Sequence, residues 1–457
     1  MRPGRFAAAL SDMVRGFRCV VDHERALRRS RVSEDLPASV RAHGAQWLGT
    51  MSAGCTATHG IHERCDFACT ACYLATTGNR TPPLPFPEVK AQLERIRAHV
   101  GPAGNVQITA GEVTLLPVED LVRIVRYART IGLDPMVMTH GQTFLEQPAY
   151  LHRLMVESEL SKIAVHVDST QRGRRGVDSR PSEAELMTVR DQVADLVRHA
   201  RRTTGRPLYA AHTVTVTDDN IGEVSRIVRW FLANADAIRM LSFQPTADVG
   251  RTRASALGGR RVFDALRQSV GYPLHSHTFV MGHPDCNFVA LGLVVRFGDR
   301  REFVELKRRD PREEALFDDL LAGPLQGFYI DDARSSWELL GRSAPVLLRA
   351  PTLPARLLAA VLRRTRARER RWLPAFLRAV ARGEPWSVHS AMFVVHNFMG
   401  RDELATPRGE ERIRGCAFRV PVGDRMVSMC ELNGTELRRS LNVDQTSRLI
   451  PASRLVG

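Results

Sequence analysis

Residues 63–75 read ERCDFACTACYLA and place three of the chain's eight cysteines, Cys65, Cys69 and Cys72, within eight positions. A disulfide joins two cysteines, and a structural zinc site usually has four ligands. A group of three thiols therefore indicates a metal centre in which one coordination position stays open. Thiolates are soft ligands that suit zinc or iron–sulfur clusters, so the cysteine content leaves both metals as candidates.

Downstream of this stretch, short apolar segments alternate with longer amphipathic ones. The predicted strands are residues 56–62, 105–109, 135–140, 162–168, 208–216 and 237–245. Segments with the period of an amphipathic helix lie between them, and this alternation is typical of a parallel sheet with crossover helices. The chain thus contains about six βα units, which favours the α/β class and a partial (β/α)6 barrel.

The βα repeat stops after Pro245, and we predict three parts of the chain. Residues 1–50 form an N-terminal helical extension, and residues 51–252 form the partial barrel. Residues 253–457 form an α+β C-terminal domain, in which we expect strands and turns from Ala391 onward.

Reactive or polar side chains follow almost every predicted strand at its carboxyl end. In chain order they are Cys65, Gly111 with Glu112, His140, His166 with Asp168, and Gln244, while His212 lies inside the fifth strand. In parallel α/β proteins, ligands bind at the carboxyl ends of the strands. A single histidine there is more often a core residue, but a series of such residues predicts a site.

The cysteine stretch and the segment ITAGEVTLLP (residues 108–117) together resemble the radical S-adenosylmethionine (SAM) superfamily. The resemblance implies that Cys65, Cys69 and Cys72 hold a 4Fe-4S cluster whose fourth iron binds the cofactor. Gly111, Glu112 and Thr114 match the glycine-rich motif that contacts the methionine group, although Ala110 and Val113 replace its usual Gly and Pro. The remaining cofactor-binding candidates are Thr139, His140, His166, Asp168 and Gln244.

The resemblance also implies an activity and a partner. Such an enzyme cleaves SAM reductively to a 5′-deoxyadenosyl radical, which abstracts hydrogen from an unactivated carbon. It needs a reductant protein such as a ferredoxin or flavodoxin. The segments GHPDCN and VHNFMG are similar to the tetraether-synthase-like branch, which suggests a lipid chain as substrate. Modification of a peptide or a pterin-like small molecule is the alternative.

Four further cysteines predict a second metal centre. Cys55, Cys286, Cys416 and Cys430 provide the number of thiolates that fully ligates a second 4Fe-4S cluster. The alternative is that they are buried thiols without a metal. Cys19 lies in a predicted helix near the N-terminus, where we expect a structural role.

The formal net charge of +15 is almost entirely due to arginine, since the chain has lysine only at positions 90, 162 and 307. Residues 356–382 carry nine arginines and one acidic residue between apolar side chains. This pattern predicts a basic amphipathic helix that would suit anionic lipid headgroups or another anionic substrate, or a solvated helix face. A zinc-stabilised nucleic-acid-binding protein is the alternative of another class, but only Cys69 and Cys72 form a C-x2-C pair.

The sequence also predicts where the protein works. No apolar run approaches the roughly 18–20 residues needed to cross a bilayer. The apolar segment near the N-terminus is interrupted by Ser11, Asp12 and Arg15, unlike a secretory signal. We therefore expect a cytoplasmic protein, with peripheral membrane association as a second expectation.

Overall fold

The computed structural model of the chain describes residues 3–29, 32, 36–270, 274–275, 278–308, 310–328, 335–365 and 372–449. The strands are β1 (Cys55–Ala57), β2 (Asn105–Ile108), β3 (Asp134–Thr139), β4 (Lys162–His166), β5 (Tyr209–Val216), β6 (Ile238–Pro245), β7 (Asn287–Phe297), β8 (Arg300–Glu305), β9 (Trp386–His396), β10 (Phe418–Val422) and β11 (Arg425–Ser428). The helices are α1 (Pro3–Arg29), α2 (Ala38–Arg41), α3 (Phe86–Val100), α4 (Val118–Thr130), α5 (Gln142–Glu146), α6 (Pro148–Glu157), α7 (Leu186–Thr204), α8 (Val224–Ala233), α9 (Gly259–Val270), α10 (Pro311–Leu321), α11 (Ser336–Arg349), α12 (Leu353–Thr365), α13 (Leu373–Ala381), α14 (Arg401–Leu404), α15 (Pro407–Arg414), α16 (Met429–Gly434) and α17 (Leu437–Leu449).

Strands β1 to β6 lie side by side in chain order, and every neighbouring pair among them is parallel. Helices connect the successive strands and flank the sheet. The predicted partial (β/α)6 barrel is therefore confirmed. Because all six strands run in the same direction, the loops that leave their carboxyl ends collect at one edge of the sheet.

The periodicity of the sequence explains why these segments form their elements. In α4, Glu119 and Asp120 lie in the first turn, where carboxylates interact favourably with the helix dipole. The buried side chains of α4 recur at helical spacing, at Leu121, Val125 and Ala128 among others. In β4 four consecutive residues are buried, as expected for a parallel strand that is covered on both faces.

Strands from residues 253–457 extend the same sheet at both ends. β9 pairs in parallel with β6 and carries β7 and β8 beyond it, while β10 pairs in parallel with β1 and carries β11. The predicted boundary at residue 252 stays a prediction. The expectation of strands and turns after Ala391 missed helices α14 to α17. These helices are short or strongly polar, so their apolar periodicity in the sequence is weak.

The N-terminal helix α1 packs directly on α11. A side chain at Gly16 would place its Cβ 2.1 Å from the Glu338 carbonyl oxygen, and one at Gly341 would place it 2.0 Å from the Met13 carbonyl oxygen. Both helices therefore need glycine where their backbones approach each other. Through this contact the N-terminal extension is attached to the part of the chain that follows the barrel.

The arginine-rich segment 356–382 includes most of α12, from Arg356 onward, and all of α13, while residues 366–371 between these helices lie outside the described residues. Within the described ranges, no single helix is long and apolar enough to span a membrane. The helices Trp337–Arg349 and Leu353–Arg364 together have the length and apolar composition of a membrane span, but the chain bends by 100° between them.

Glu305 at the end of β8 should make stability depend on pH. Burial raises the pKa of this carboxyl from 4.5 to about 8. Between these values the folded protein keeps a proton that the unfolded chain loses, so the free energy of unfolding falls as pH rises and levels off above about 8. We expect Glu305→Gln to remove a loss on the order of 4 kcal/mol between pH 5 and 8. Denaturant unfolding at both pH values checks this, with Glu314→Gln in α10 as the control. Equal pH slopes in wild type and Glu305→Gln would contradict the prediction.

Candidate metal and cofactor site

The cysteine loop, residues 58–75 after β1, is held first by the loop that follows β2. The Gly111 N–H donates to the His62 carbonyl oxygen at 2.9 Å, and the Glu112 N–H donates to the Arg64 carbonyl oxygen at 2.8 Å. A Cβ on Gly111 would lie 2.3 Å from the same Arg64 oxygen. Only glycine therefore allows the two loops to approach this closely, which gives a physical reason for the glycine in the sequence AGEV.

The Glu112 carboxylate connects the ends of β2 and β3. Its Oε1 accepts hydrogen bonds from the Thr114 N–H, from the Thr114 hydroxyl at 2.7 Å and from the Thr139 hydroxyl at 2.8 Å. Its Oε2 accepts from the His140 N–H at 2.8 Å. The side chain is 1% exposed. Three predicted cofactor-binding residues, Thr114, Thr139 and His140, thus meet on Glu112, and this carboxylate positions the loops around it.

His140 joins this network to the cysteine loop. The Gln142 N–H donates to its Nδ1 at 3.1 Å, so the ring proton lies on Nε2, which is 2.8 Å from Asp66 Oδ1. The ring stacks on Phe67 with centroids 3.8 Å apart. The hydrogen bond from His140 lowers the pKa of Asp66. Asp66 and Phe67 lie between Cys65 and Cys69, so the position of the cysteine loop depends directly on the end of β3.

The loop after β4 holds the second side of the cysteine loop. The Ala68 N–H donates to the Arg172 carbonyl oxygen, and the Thr70 N–H donates to that of Thr170, both at 2.9 Å. Asp168, at this strand end, accepts hydrogen bonds from the Thr170 N–H and the Thr215 N–H.

His166 and Asp168 form a pair at the same strand end. His166 Nε2 bonds Asp168 Oδ2 and lies 3.0 Å from Thr215 Oγ1. Burial alone would raise the pKa of Asp168, but the charge of His166 and the hydrogen bonds hold it well below its usual value. Gln244 in β6 pairs in register with Thr215 in β5, so it lies at the same edge of the sheet.

The loop after β6 contacts the cysteine loop from a third side. The Arg251 N–H donates to the Cys72 carbonyl oxygen at 2.8 Å, and the Arg253 N–H donates to that of Thr70 at 2.9 Å. The Arg251 guanidinium also lies 3.2 Å from the Cys72 sulfur. A donor to a thiolate sulfur is one of the features by which proteins set the potential of an iron–sulfur cluster.

Helix α17 packs on the far side of the cysteine loop. Arg438 Nη1 donates to Glu63 Oε1 at 2.7 Å, and both side chains are less than 5% exposed. The Arg438 guanidinium also lies over the Tyr73 ring, 5.2 Å from its centroid. Gln445 donates to the Gly60 carbonyl oxygen at 2.9 Å. A helix near the end of the chain therefore supports the first loop of the barrel.

Arg174 brings a buried positive charge to this edge. It is 5% exposed and donates to the carbonyl oxygens of His140 and His166. Desolvation by burial lowers its pKa to about 10, so the guanidinium stays charged at neutral pH. Its Nε is buried without a hydrogen-bond partner in the structure. An anionic group would suit this position, because a buried charge without a pairing anion is unfavourable.

The thiols of the cysteine loop are suited to a metal rather than to acid–base work. Burial raises the pKa of Cys65 to about 12 and also raises that of Cys69 well above its usual value. Thiols in such surroundings stay protonated until a metal stabilises the thiolate. Among the described residues, Cys65, Asp66 and His140 form one group of metal-ligand side chains whose ligand atoms all lie within 4.8 Å of one another. The sulfur atoms of Cys65, Cys69 and Cys72 do not all lie that close together, so they do not surround a single small ion.

The segments that carry the other four predicted metal ligands lie together at a second place, although no three of these sulfur atoms all lie within 4.8 Å of one another. The Cys55 N–H donates to the Ala417 carbonyl oxygen at 2.8 Å, next to Cys416. The His283 N–H donates to the Gly415 carbonyl oxygen at 2.8 Å, and the Asn397 N–H donates to the Cys286 carbonyl oxygen. Two residues after Asn397, the Met399 N–H lies 3.4 Å from the Cys430 sulfur. These contacts join the segment before β7 to the segment before β10, and so bring together the segments that carry the cysteines from both ends of the sheet.

The electrostatics agree with this second group. Burial raises the pKa of Cys55 to about 11 and that of Cys286 to about 12, and in both cases the electrostatic effect of the nearby Cys416 raises it further. Burial also raises the pKa of Cys430, with added contributions from Cys416 and Cys286. All eight cysteines lie in the described part of the chain, and each is a free thiol.

Two residues considered in the sequence lie apart from both groups. His212 in β5 is fully buried, contacts Trp230 of α8 at 4.8 Å between ring centroids, and accepts a hydrogen bond from Arg190 of α7. It therefore faces the helices rather than the strand ends. Cys19 lies in α1.

Sequence reasoning missed the arginines Arg174, Arg251 and Arg438, together with Asp66. In a chain with 65 basic residues, nothing in the sequence distinguishes these three arginines from the others. Asp66 could have been singled out, because it lies between the first two cysteines of the motif.

Comparison with known proteins gives partial matches. No family model matches the chain. A 7,8-dihydro-6-hydroxymethylpterin dimethyltransferase of Methanocaldococcus jannaschii is 24% identical over 202 residues, which cover 43% of this chain and 37% of that protein. The matched part is thus well under half the length of this curated relative.

Two solved structures with S-adenosylmethionine bound are also similar. SuiB of Streptococcus suis has a TM-score of 0.35 and 14% identity, with 47% of each chain covered. The protein anSMEcpe with bound AdoMet has a TM-score of 0.34 and 13% identity, covering 46% of this chain and 57% of that one.

Proposed function

We propose that this protein is a radical SAM enzyme. The observation that carries the proposal is the position of the cysteine loop. Its three thiols lie at the carboxyl edge of six parallel strands, and backbone hydrogen bonds attach the loop to the loops after β2, β4 and β6. The chemistry that a 4Fe-4S cluster on Cys65, Cys69 and Cys72 supplies when bound is one-electron cleavage of SAM, which yields methionine and a radical that removes a hydrogen atom from the substrate.

The residues of the chain would then divide the work between them. Glu112 positions Thr114, Thr139 and His140. The loops that it holds in place would bind the methionine group of the cofactor. Arg174 supplies the buried positive charge that a carboxylate of the cofactor would pair with. His166, Asp168 and Gln244 lie at the strand ends where the ribose would bind. Arg251 donates to the Cys72 sulfur and so influences the reduction potential of the cluster.

We propose that Cys55, Cys286, Cys416 and Cys430 hold a second 4Fe-4S cluster. They come from three distant parts of the chain, around residues 55, 286 and 416–430, and the fact that these parts lie together supports this proposal. Arg412 forms a hydrogen bond to Cys286, which places a positive charge beside this group as well. Both clusters would receive electrons from an external donor of low potential, such as a ferredoxin or flavodoxin.

We propose two candidate classes of substrate. The segments similar to the tetraether-synthase-like branch favour a lipid chain with an unactivated carbon. The similarity to a dimethyltransferase that acts on a pterin favours a pterin-like small molecule.

The proposed activity has a direct test. The protein is purified without oxygen, reconstituted with iron and sulfide, reduced with dithionite and supplied with SAM. We expect methionine and 5′-deoxyadenosine in equal amounts. Deuterated lipids and a deuterated dihydropterin are then added separately, and the substrate class is the one whose deuterium enters 5′-deoxyadenosine. Absence of both cleavage products, with the cluster present, would contradict the proposal.

Arg174→Met should weaken SAM binding by about tenfold to a hundredfold, the usual value of a lost hydrogen bond to a charged group. Isothermal titration of the reconstituted protein measures the dissociation constant without any turnover. Arg172→Met is the matched control, because Arg172 donates only to carbonyl oxygens of its own loop in the structure. If both variants bound SAM as the wild type does, Arg174 would have no role in cofactor binding.

A further inference from the structure

One face of the central sheet packs against the surrounding helices. Val137, Ile163, Leu241 and Phe393 lie on this face and are fully buried in the core. Phe393 packs there on Phe231 of α8, with ring centroids 5.0 Å apart. Because side chains alternate between the two faces of a strand, the next residue of each of these strands lies on the opposite face. We call that opposite face the inner face of the partial barrel.

On the inner face, one row of paired residues is apolar across six strands. From β3 through β4, β5, β6 and β9 to β7, the row consists of Met138, Ala164, Ala211, Met240, Met392 and Leu291. These side chains carry no nitrogen or oxygen atom. A closed barrel fills such a layer with bulky branched side chains, whereas here two positions are alanine and three are the flexible, unbranched methionine. The methionines and Leu291 are only half-buried, so this layer is open rather than filled.

On β7 and β9 the apolar surface continues from this row to the other end of the strands. The inner-face pairs there are Val394–Val289, Met392–Leu291, Ser390–Leu293, Val388–Val295 and Trp386–Phe297. We call these ten residues the β7–β9 strip, in which Ser390 is the one polar residue. Leu293 is 38% exposed, Val388 40% and Trp386 53%. At about 3.3 Å per residue, the strip is about 26 Å long from Val394 to Trp386.

The upper end of the strip lies in the same row as a predicted cofactor-binding residue. His166 pairs with Thr213, Thr213 with Ser242, and Ser242 with Val394. Three strand spacings therefore separate His166 from Val394, which is at most about 14 Å along the sheet. The strip thus begins beside the carboxyl edge where the cysteine loop lies, and it leads away from that edge.

Helix α13 closes the lower end of the strip. Phe376 of this helix packs on Phe297, with ring centroids 5.6 Å apart, and on Trp386, with ring centroids 5.9 Å apart. The strip is therefore a long, narrow apolar surface that is open along its length, with the proposed reaction site at one end and an aromatic cluster at the other.

The length and the chemistry of the strip distinguish between the two candidate substrates. A pterin is a compact bicycle with N–H and C=O groups on its edges, and burying these groups without partners is unfavourable. Along the strip, Ser390 offers one hydroxyl as a side-chain partner. An unbranched alkyl chain has no polar atoms to satisfy and can contact the strip over its full length.

We propose that the β7–β9 strip binds the alkyl chain of the substrate, with the reacting carbon at the Val394 end. The position of the reacting carbon rests on the proposed radical function. The binding of the chain rests on the strip alone. The structure thus favours the lipid chain over the pterin as the class of substrate.

The test is equilibrium dialysis of radiolabelled hexadecanoate against the reconstituted full-length protein. We expect saturable binding. The double variant Val388→Thr/Met392→Gln should weaken it by about tenfold or more, because a hydroxyl and an amide would be buried beneath the chain without partners. SAM affinity, measured by isothermal titration, should stay as in the wild type. The matched control is Val156→Thr/Met187→Gln, which makes the same changes on α6 and α7. Circular dichroism checks that both variants are folded.

Three results would overturn the proposal. Wild-type protein that does not bind hexadecanoate, whether or not it binds 7,8-dihydro-6-hydroxymethylpterin, excludes the strip as a chain-binding site. Equal affinity of the wild type and the Val388→Thr/Met392→Gln variant places the chain elsewhere on the molecule. A wild-type dimer that this variant converts to monomer, without hexadecanoate binding, assigns the strip to a second copy. Failure of the radical function is a separate result, since SAM cleavage would then be absent while the chain still binds.

Discussion

Replacing Cys65, Cys69 and Cys72 together by alanine should lower the iron content of the reconstituted protein from about eight to about four atoms per chain, because one of two four-iron clusters is lost. The same variant should form no 5′-deoxyadenosine. The thiols lie in one loop and have no ligands in common with the second cysteine group, so the loss should be confined to one cluster. Iron and sulfide analysis after anaerobic reconstitution measures the first effect.

The complementary variant tests the second group. Replacing Cys55, Cys286, Cys416 and Cys430 by alanine should also leave about four irons per chain, now held by the cysteine loop. Cys19→Ala should keep the wild-type content, because Cys19 lies apart in α1. Four irons in the wild type that fall to none in the triple variant would remove the second cluster from the proposal. Zinc without iron in every sample would contradict both clusters and favour the zinc-stabilised alternative.

Arg438→Met should destabilise the cysteine loop by about 3–5 kcal/mol, the usual cost of removing one partner of a buried ion pair. The reason is that Glu63 would remain 1% exposed without its cation. Glu63 accepts from the Gly60 N–H with the same oxygen, so its displacement would move the start of the loop. Amide hydrogen exchange of residues 60–75 is the measurement, and we expect it to accelerate by about a hundredfold or more.

The neighbouring Arg439 provides the control for this experiment. It is exposed and pairs with Glu436, the residue just before its own helix, so Arg439→Met should change stability by less than about 1 kcal/mol. The double variant Glu63→Met/Arg438→Met removes both charges and should recover part of the loss. If Arg438→Met and Arg439→Met had equal exchange rates in the loop, the buried pair would not support the loop.

The fold could be predicted from the sequence because its signal is local. Each βα unit has an apolar strand and an amphipathic helix next to each other in the chain, and a parallel pair with a crossover helix has few arrangements. Strands β2 to β6 were therefore predicted to within two residues of the observed bounds at both ends. β1 was predicted five residues too long at its carboxyl end, because residues 58–62 are mostly buried although they already belong to the cysteine loop.

The extension of the sheet by β9 and β10 was not predicted. Those strands pair with β6 and β1 across more than a hundred residues of sequence, and no local pattern records such a partner. Helices α14 to α17 were missed for a related reason, since their stability comes from contacts such as Arg438–Glu63 rather than from apolar periodicity.

The sequence by itself determined the order of strands β1 to β6, the three thiols of the cysteine loop and the polar residues that follow these strands, because these depend on neighbours in the chain. Only the tertiary structure decided that the segments with Cys55, Cys286, Cys416 and Cys430 lie together, and that Arg174 and Arg251 lie beside the cysteine loop. These contacts join residues far apart in sequence, and they exist only where the two ends of the curled sheet and the final helix return to the barrel.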